Sequence, residues 1–162
     1  MTDPMSQFGT HPRIPGYLGR ALSLEYTAVQ QYMTQAALTE AWGLSDAAER
    51  FRREVVEEMQ HAERLIKRML GLGLAPSSSQ LRPSAVGGSL IEMLQLDMRL
   101  EADIVALYDE ATDFCRRIGD LENAAFFGAL LAEEQAHAGD VQQWLAELGV
   151  GANRGNQGRV YF

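Results

Sequence analysis

From Tyr17 onward, apolar residues return every three or four positions through four long stretches of the chain, the spacing that gathers them on one face of a helix. The stretches are separated by "WGLSD" (42–46), by a Gly-, Pro- and Ser-rich zone from Gly71 to Gly88 and by "GD" at 119–120, and a Gly-rich tail follows from Gly149. The pattern predicts helices over 14–42, 46–72, 89–118 and 120–148. Asp46, Ser89 and Asp120 are positioned to accept free backbone N–H groups at three of the starts, with Glu92 completing a capping box behind Ser89. Gly119 and Gly149 are positioned as C-terminal caps.

Two connections are only a few residues long and force antiparallel neighbours, whereas the 71–88 segment is far longer. A helix of about 27 residues is roughly 40 Å long, and 16 extended residues reach roughly 50 Å. The long segment can therefore return along the whole bundle. Two antiparallel hairpins joined by a crossover between helices two and three make an all-α, ferritin-like four-helix bundle rather than an up-down-up-down one. Residues 14–148 are expected to form this bundle, with 1–13 a flexible N-terminal arm and 149–162 a separate Gly-rich tail.

Written out at steps of four and three, the apolar seams contain an anomaly. Helix two reads Phe51, Val55, Glu58, Ala62, Leu65, Met69, Leu72, and helix four reads Phe127, Leu131, Glu134, Ala138, Val141, Leu145, Leu148. Helix one reads Leu18, Leu22, Glu25, Val29, Tyr32, Ala36, and helix three reads Leu94, Met98, Glu101, Val105, Tyr108. Each seam carries one glutamate, and all four lie near the middle of their helices. A carboxylate buried without a partner costs several kcal/mol, so four at one level call for cations opposite them. His61 and His137 each follow a seam glutamate by three residues, and the only other histidine is His11. Four carboxylates and two neutral imidazoles balance two divalent ions, and this mixed donor set suits iron, manganese or zinc. One Glu from each of two helices and Glu-x-x-His from each of the others is the ligand arrangement of ferritin-like dinuclear proteins.

Composition narrows the setting. The chain has 162 residues, 46% of them hydrophobic, which suits one domain with a substantial core. A net charge of −8 argues against nucleic acid and anionic membranes and favours cations as partners. The single Cys115 excludes an internal disulfide framework and fits a cytoplasmic setting. It also excludes the four-cysteine iron site of a rubrerythrin-like peroxidase. The first residues contain no apolar run of the kind that marks a secretory signal or membrane span.

The segments "LEYTAVQQY" (24–32), "AWGL" (41–44), "EEMQHAERLIKRML" (57–70), "RLEADIVALYDEA" (99–111) and "EEQAH" (133–137) resemble bacterioferritin, over about residues 17–148. The resemblance implies an iron-storage protein that oxidises Fe(II) with O2 or H2O2 at a ferroxidase centre of two irons per subunit. Its ligands would be Glu25, Glu58, His61, Glu101, Glu134 and His137, with Glu58 and Glu134 bridging and Tyr32 beside the centre. Met59 matches the family's axial ligand to haem b, shared between two subunits. It points about 100° from Glu58 around the helix, away from the seam. The family assembles through haem-bridged homodimers into a 24-subunit shell, and a ferredoxin-type reductant would release the iron. Two departures stand out. Arg53 and Glu57 occupy positions where some members have a histidine and an acid for an additional iron site on the cavity wall, so that site does not carry over. The tail "GVGANRGNQGRVYF" lacks the apolar periodicity of the family's short fifth helix, so a more readily dissociated shell is expected. The competing readings are a dinuclear oxidase or oxygenase acting on an organic substrate, and a haem-binding dimer without a storage role.

Overall fold

A computed structural model describes residues 9–76 and 80–150, and among these the only regular elements are four helices. They are α1 (Arg13–Ala41), α2 (Ser45–Gly71), α3 (Leu90–Arg117) and α4 (Leu121–Glu147), each end within about one residue of its predicted place. The expected arm and tail fall largely on residues 1–8 and 151–162, which lie outside the described residues. No described helix is long and apolar enough to cross a membrane.

The caps explain most of these boundaries. Ser89 Oγ accepts from Glu92 N at 3.2 Å, while the Glu92 carboxylate reaches back to Gly88 N at 2.7 Å rather than to the cap residue's own N–H. Asp120 Oδ1 accepts from Asn123 N at 3.0 Å. Asp46 does not cap α2, contrary to the sequence expectation. Leu44 occupies the N-cap position without a side-chain bond, and Asp46 falls in the first turn, where its charge complements the helix N-terminus. The helix starts early because Gly43, at φ 76°, ends α1 so abruptly that Leu44 N already bonds back to Thr39 O. Gly119 and Gly149 end α3 and α4 by the same left-handed turn, as expected, and Gly73 follows α2 likewise.

The helices pack as two antiparallel hairpins, α1 with α2 and α3 with α4, and α1 also lies against α3. Tyr17, Leu18, Phe51, Leu65, Leu94, Ile104 and Phe127 fill the centre with essentially no exposure. The buried stripes are wider than the 4/3 seams and drift from them, because 3.6 residues per turn is not 3.5. Leu130 and Ile104 are buried where Leu131 and Val105 were expected; those two, with Val29, Met98 and Ala138, are half-buried, and Leu148 is exposed beyond the end of α4.

A second, polar stripe on α1 holds the crossover. Ser23, Thr27 and Gln31 repeat every four residues and accept backbone N–H groups from Gln80 (3.0 Å), Arg82 (3.4 Å) and Ala85 (3.4 Å). Gln31 and Gln35 also donate to the buried carboxylate of Asp97 on α3, at 2.6 and 2.7 Å. The crossover thus runs along α1, and Gln31 both ties it and joins α1 to α3.

Candidate dinuclear metal centre

Each helix delivers one glutamate to the middle of the bundle. Glu25, Glu58, Glu101 and Glu134 are wholly buried, and His61 and His137 are 6% and 5% exposed. All six expected residues meet. Their donor atoms form two overlapping nests, one of Glu25, Glu58, His61 and Glu134 and the other of Glu58, Glu101, Glu134 and His137. Glu58 and Glu134 belong to both. His61 Nδ1 lies 2.6 Å from Glu134 Oε1, 3.1 Å from Glu58 Oε2 and 3.8 Å from Glu25 Oε2. His137 Nδ1 lies 2.9 Å from Glu58 Oε1, 3.7 Å from Glu134 Oε2 and 3.8 Å from Glu101 Oε1.

The protein satisfies only part of this set. Glu25 Oε2, Glu58 Oε1, Glu101 Oε2, both oxygens of Glu134 and His137 Nδ1 are buried without a hydrogen bond. Such a concentration of orphaned donors is costly unless a ligand completes it. The orphaned atoms are carboxylate oxygens and imidazole nitrogen, the donor chemistry of a pair of divalent ions.

Without such ions, protons carry the positive charge. Burial, reinforced by the neighbouring carboxylates, holds Glu25 and Glu101 well above the usual carboxylate range. Burial also opposes ionisation of Glu58, but the facing His137 and His61 rings outweigh it and pull Glu58 down to about 2. Burial disfavours both imidazolium ions, yet the surrounding glutamates raise His61 far above its ordinary value and His137 to about 12. Divalent ions binding at these residues would therefore displace protons.

Tyr32 on α1 donates its hydroxyl to Glu101 Oε1, next to the nest as expected. Tyr108, which the sequence marks only as a seam residue, does the same from α3 to Glu25 Oε1. The two bonds are mirror images between α1 and α3, since each tyrosine follows its helix's glutamate by seven residues. Burial holds both phenols well above 10, so both remain donors. The outward nitrogens of the histidines engage carboxylates absent from the expected set: His61 Nε2 lies 3.0 Å from Glu133 Oε2, and His137 Nε2 touches Glu54 Oε2. No periodicity signals these residues, because Glu133 and the neighbouring Glu57 are exposed and Glu54 only half-buried. Above the rings an opening of about 330 Å³ is lined by Glu57, Gln60, Glu133, Asp140 and the two histidines.

Met59 lies outside the nest, 54% exposed on the outer face of α2. With Tyr26, Val56, Ala62 and Ile66 it lines a largely apolar hollow of about 500 Å³. Met33 and Val56, each 54% exposed, extend this apolar surface across α1 and α2.

The sequence matches the ferritin-like domain family over residues 16–149. It is 38% identical over 121 residues to bacterioferritin from Rhodobacter capsulatus, covering 75% of each chain. It is 35% identical over 126 residues to the Brucella melitensis bacterioferritin, covering 78% of each. The fold superposes on a solved structure of R. capsulatus bacterioferritin with a TM-score of 0.81 at 33% identity, covering 86% of this chain and 87% of that one. That structure is described as having a metal-free dinuclear site and a haem iron in a crystallographic special position.

Proposed function

Because the chain belongs to the bacterioferritin family of ferritin-like proteins, we propose that it stores iron, oxidising Fe(II) at the four-glutamate, two-histidine nest and retaining Fe(III) in an oligomeric shell. The observation that carries this reading is the pair of nests sharing Glu58 and Glu134, filled with orphaned buried donors. In this reading Glu25 and His61 would hold one Fe(II) and Glu101 and His137 the other, with Glu58 and Glu134 available to both. Each Fe(II) gives up one electron. The pair takes O2 and two protons to H2O2, or H2O2 and two protons to two waters. Tyr32 and Tyr108 keep their protons and orient Glu101 and Glu25 toward the nest.

The opening over the site favours an ion over an organic substrate. Its lining of Glu57, Glu133, Asp140, Gln60 and two imidazoles offers cation ligands, and Ala136 is its one apolar side chain. An acidic chain adds long-range attraction for Fe(II).

Haem fits the outer face of α2. A half-exposed thioether in an apolar hollow is poorly placed in a lone subunit, but a second copy related by a twofold axis brings an identical methionine opposite it. Met59 and its symmetry mate would then supply both axial sulfurs, and bound haem would supply an electron route to the stored iron. We expect about one haem per two subunits with a bis-methionine spectrum. Met59→Ala should lose the haem while Fe(II) oxidation continues, and haem retained at full occupancy would refute the assignment.

Storage itself is tested by loading the purified protein with Fe(II) in air and following particle mass and iron together across a range of protein and salt concentrations. We expect a 24-subunit shell carrying bulk iron and falling to dimers on dilution more readily than family members with an apolar terminal helix. A particle that stays dimeric and holds no bulk iron would reject storage.

A further inference from the structure

We propose that the two histidines of the nest are held unequally, and that Glu133 and Arg64 are positioning residues that make the His61 half the firmer; this rests on the dinuclear reading above. Both rings are oriented alike, with Nδ1 toward the glutamates and Nε2 toward the α2/α4 surface. What meets Nε2 differs. At His61 it is Glu133 Oε2, 3.0 Å away, and the same oxygen accepts from Arg64 Nη1 at 2.7 Å. A guanidinium, a carboxylate and an imidazole are thus linked in line, crossing from α2 to α4 and back.

At His137 the partner is Glu54, and no arginine or lysine pairs with it among the described residues. Its neighbour is instead another carboxylate, Glu57, whose Oε2 lies 3.5 Å from the same Nε2. Arg53, the adjacent cation in sequence, is turned away to Glu49 at 3.3 Å.

The consequence follows from the chemistry of imidazole as a ligand. A carboxylate that accepts the Nε2 proton fixes the tautomer that leaves the Nδ1 lone pair facing the nest, and it raises the basicity of that lone pair. Glu133 is pinned by Arg64. Glu54 has no pinning cation and shares its ring nitrogen with a like charge. His61 is therefore presented in one orientation with a strong donor, and His137 is presented more loosely. The Arg64–Glu133 pair is too exposed, at 36% and 48%, to contribute much to folding. Its effect is exerted through the ring it holds.

Stepwise Co(II) titration of the intact assembly, followed by visible absorption, tests this. Wild-type protein should bind two equivalents per subunit in two resolved steps. Arg64→Met and Glu133→Gln should each weaken the same single step by roughly 10–100-fold, with Arg64→Lys recovering most of the loss and apo melting temperature unchanged. The double variant should lose no more than either single one, because the two residues act as one unit. Glu54→Gln should leave that step in place and move only the other, by less than tenfold. Additive losses in the double variant, equal weakening of both steps, or no change in any variant would overturn the proposal while leaving the dinuclear site standing. Wild-type binding of fewer than two equivalents would overturn both.

Discussion

Replacing Glu58 or His61 with alanine is expected to abolish the fast phase of aerobic Fe(II) oxidation, a loss exceeding the roughly 10–100-fold typical of residues that only support a ligand. Glu58 faces both imidazoles, at 3.1 Å from His61 Nδ1 and 2.9 Å from His137 Nδ1, and belongs to both nests. Removing it takes a donor from each ion at once. His61→Ala empties one nest of its only nitrogen and leaves a single-metal site unable to gather two electrons. Glu58→Gln separates charge from volume: it preserves packing, removes the negative charge, and should be nearly as inactive as Glu58→Ala. Glu49→Ala, on the exposed side of the same helix, serves as the control and should oxidise iron at the wild-type rate. Stopped-flow absorbance of the Fe(III) product reads all four variants, and a wild-type rate in both alanine variants would place the chemistry elsewhere.

The second large effect concerns stability and its dependence on pH. In the apo protein Glu25 and Glu101 sit well above the ordinary carboxylate value of 4.5, and His61 and His137 well above the ordinary imidazole value of 6.5. Folding therefore takes up protons over this range, and a group raised in the folded state contributes stability that is lost as pH climbs toward its folded value. Glu58 acts in the opposite sense, but only between its lowered value of about 2 and 4.5. The apo fold should accordingly be most stable in mildly acidic solution and weaken steadily above about pH 5. Divalent ions replace those protons, so their stabilisation grows with pH. At 100 times the dissociation constant each site adds about 2.7 kcal/mol, or roughly 5–11 °C for a chain of this size. Calorimetric melting of apo and Zn(II)-loaded protein should show a gap that widens from about pH 5.5 to about pH 8. A gap that is absent, or constant across that range, would mean the nest does not exchange protons for metal.

The fold and the convergence of the six nest residues were legible in the sequence for one physical reason. A helix converts spacing into direction, so Glu25, Glu58, Glu101 and Glu134 at mid-seam positions had to converge once the four helices were bundled. What the spacing did not convey was the contact between helices. Tyr108 carries the same seven-residue offset from Glu101 that Tyr32 carries from Glu25, so its role was available by symmetry, yet nothing local distinguishes it from a core aromatic. Ser23, Thr27, Gln31 and Gln35 look like a solvated face, and only the path of the crossover over the first three and the buried Asp97 carboxylate facing Gln31 and Gln35 give them partners. Glu54 and Glu133 are surface acids by every local criterion, and their work depends on how far a side chain reaches across α2 and α4. The Asp46 cap failed because the turn before it is tighter than its composition suggests.

The shared-corner geometry of Glu58 and Glu134 is the centre of this reading, and the number of irons consumed in the fast phase tests it most directly. Fe(II) should be added in air in small increments to the purified assembly, and the fast absorbance change counted per subunit. Two overlapping nests require that the fast phase grow linearly and saturate at two irons per subunit. Saturation at one iron, or a fast phase that grows without a break, would contradict a dinuclear centre at these six residues.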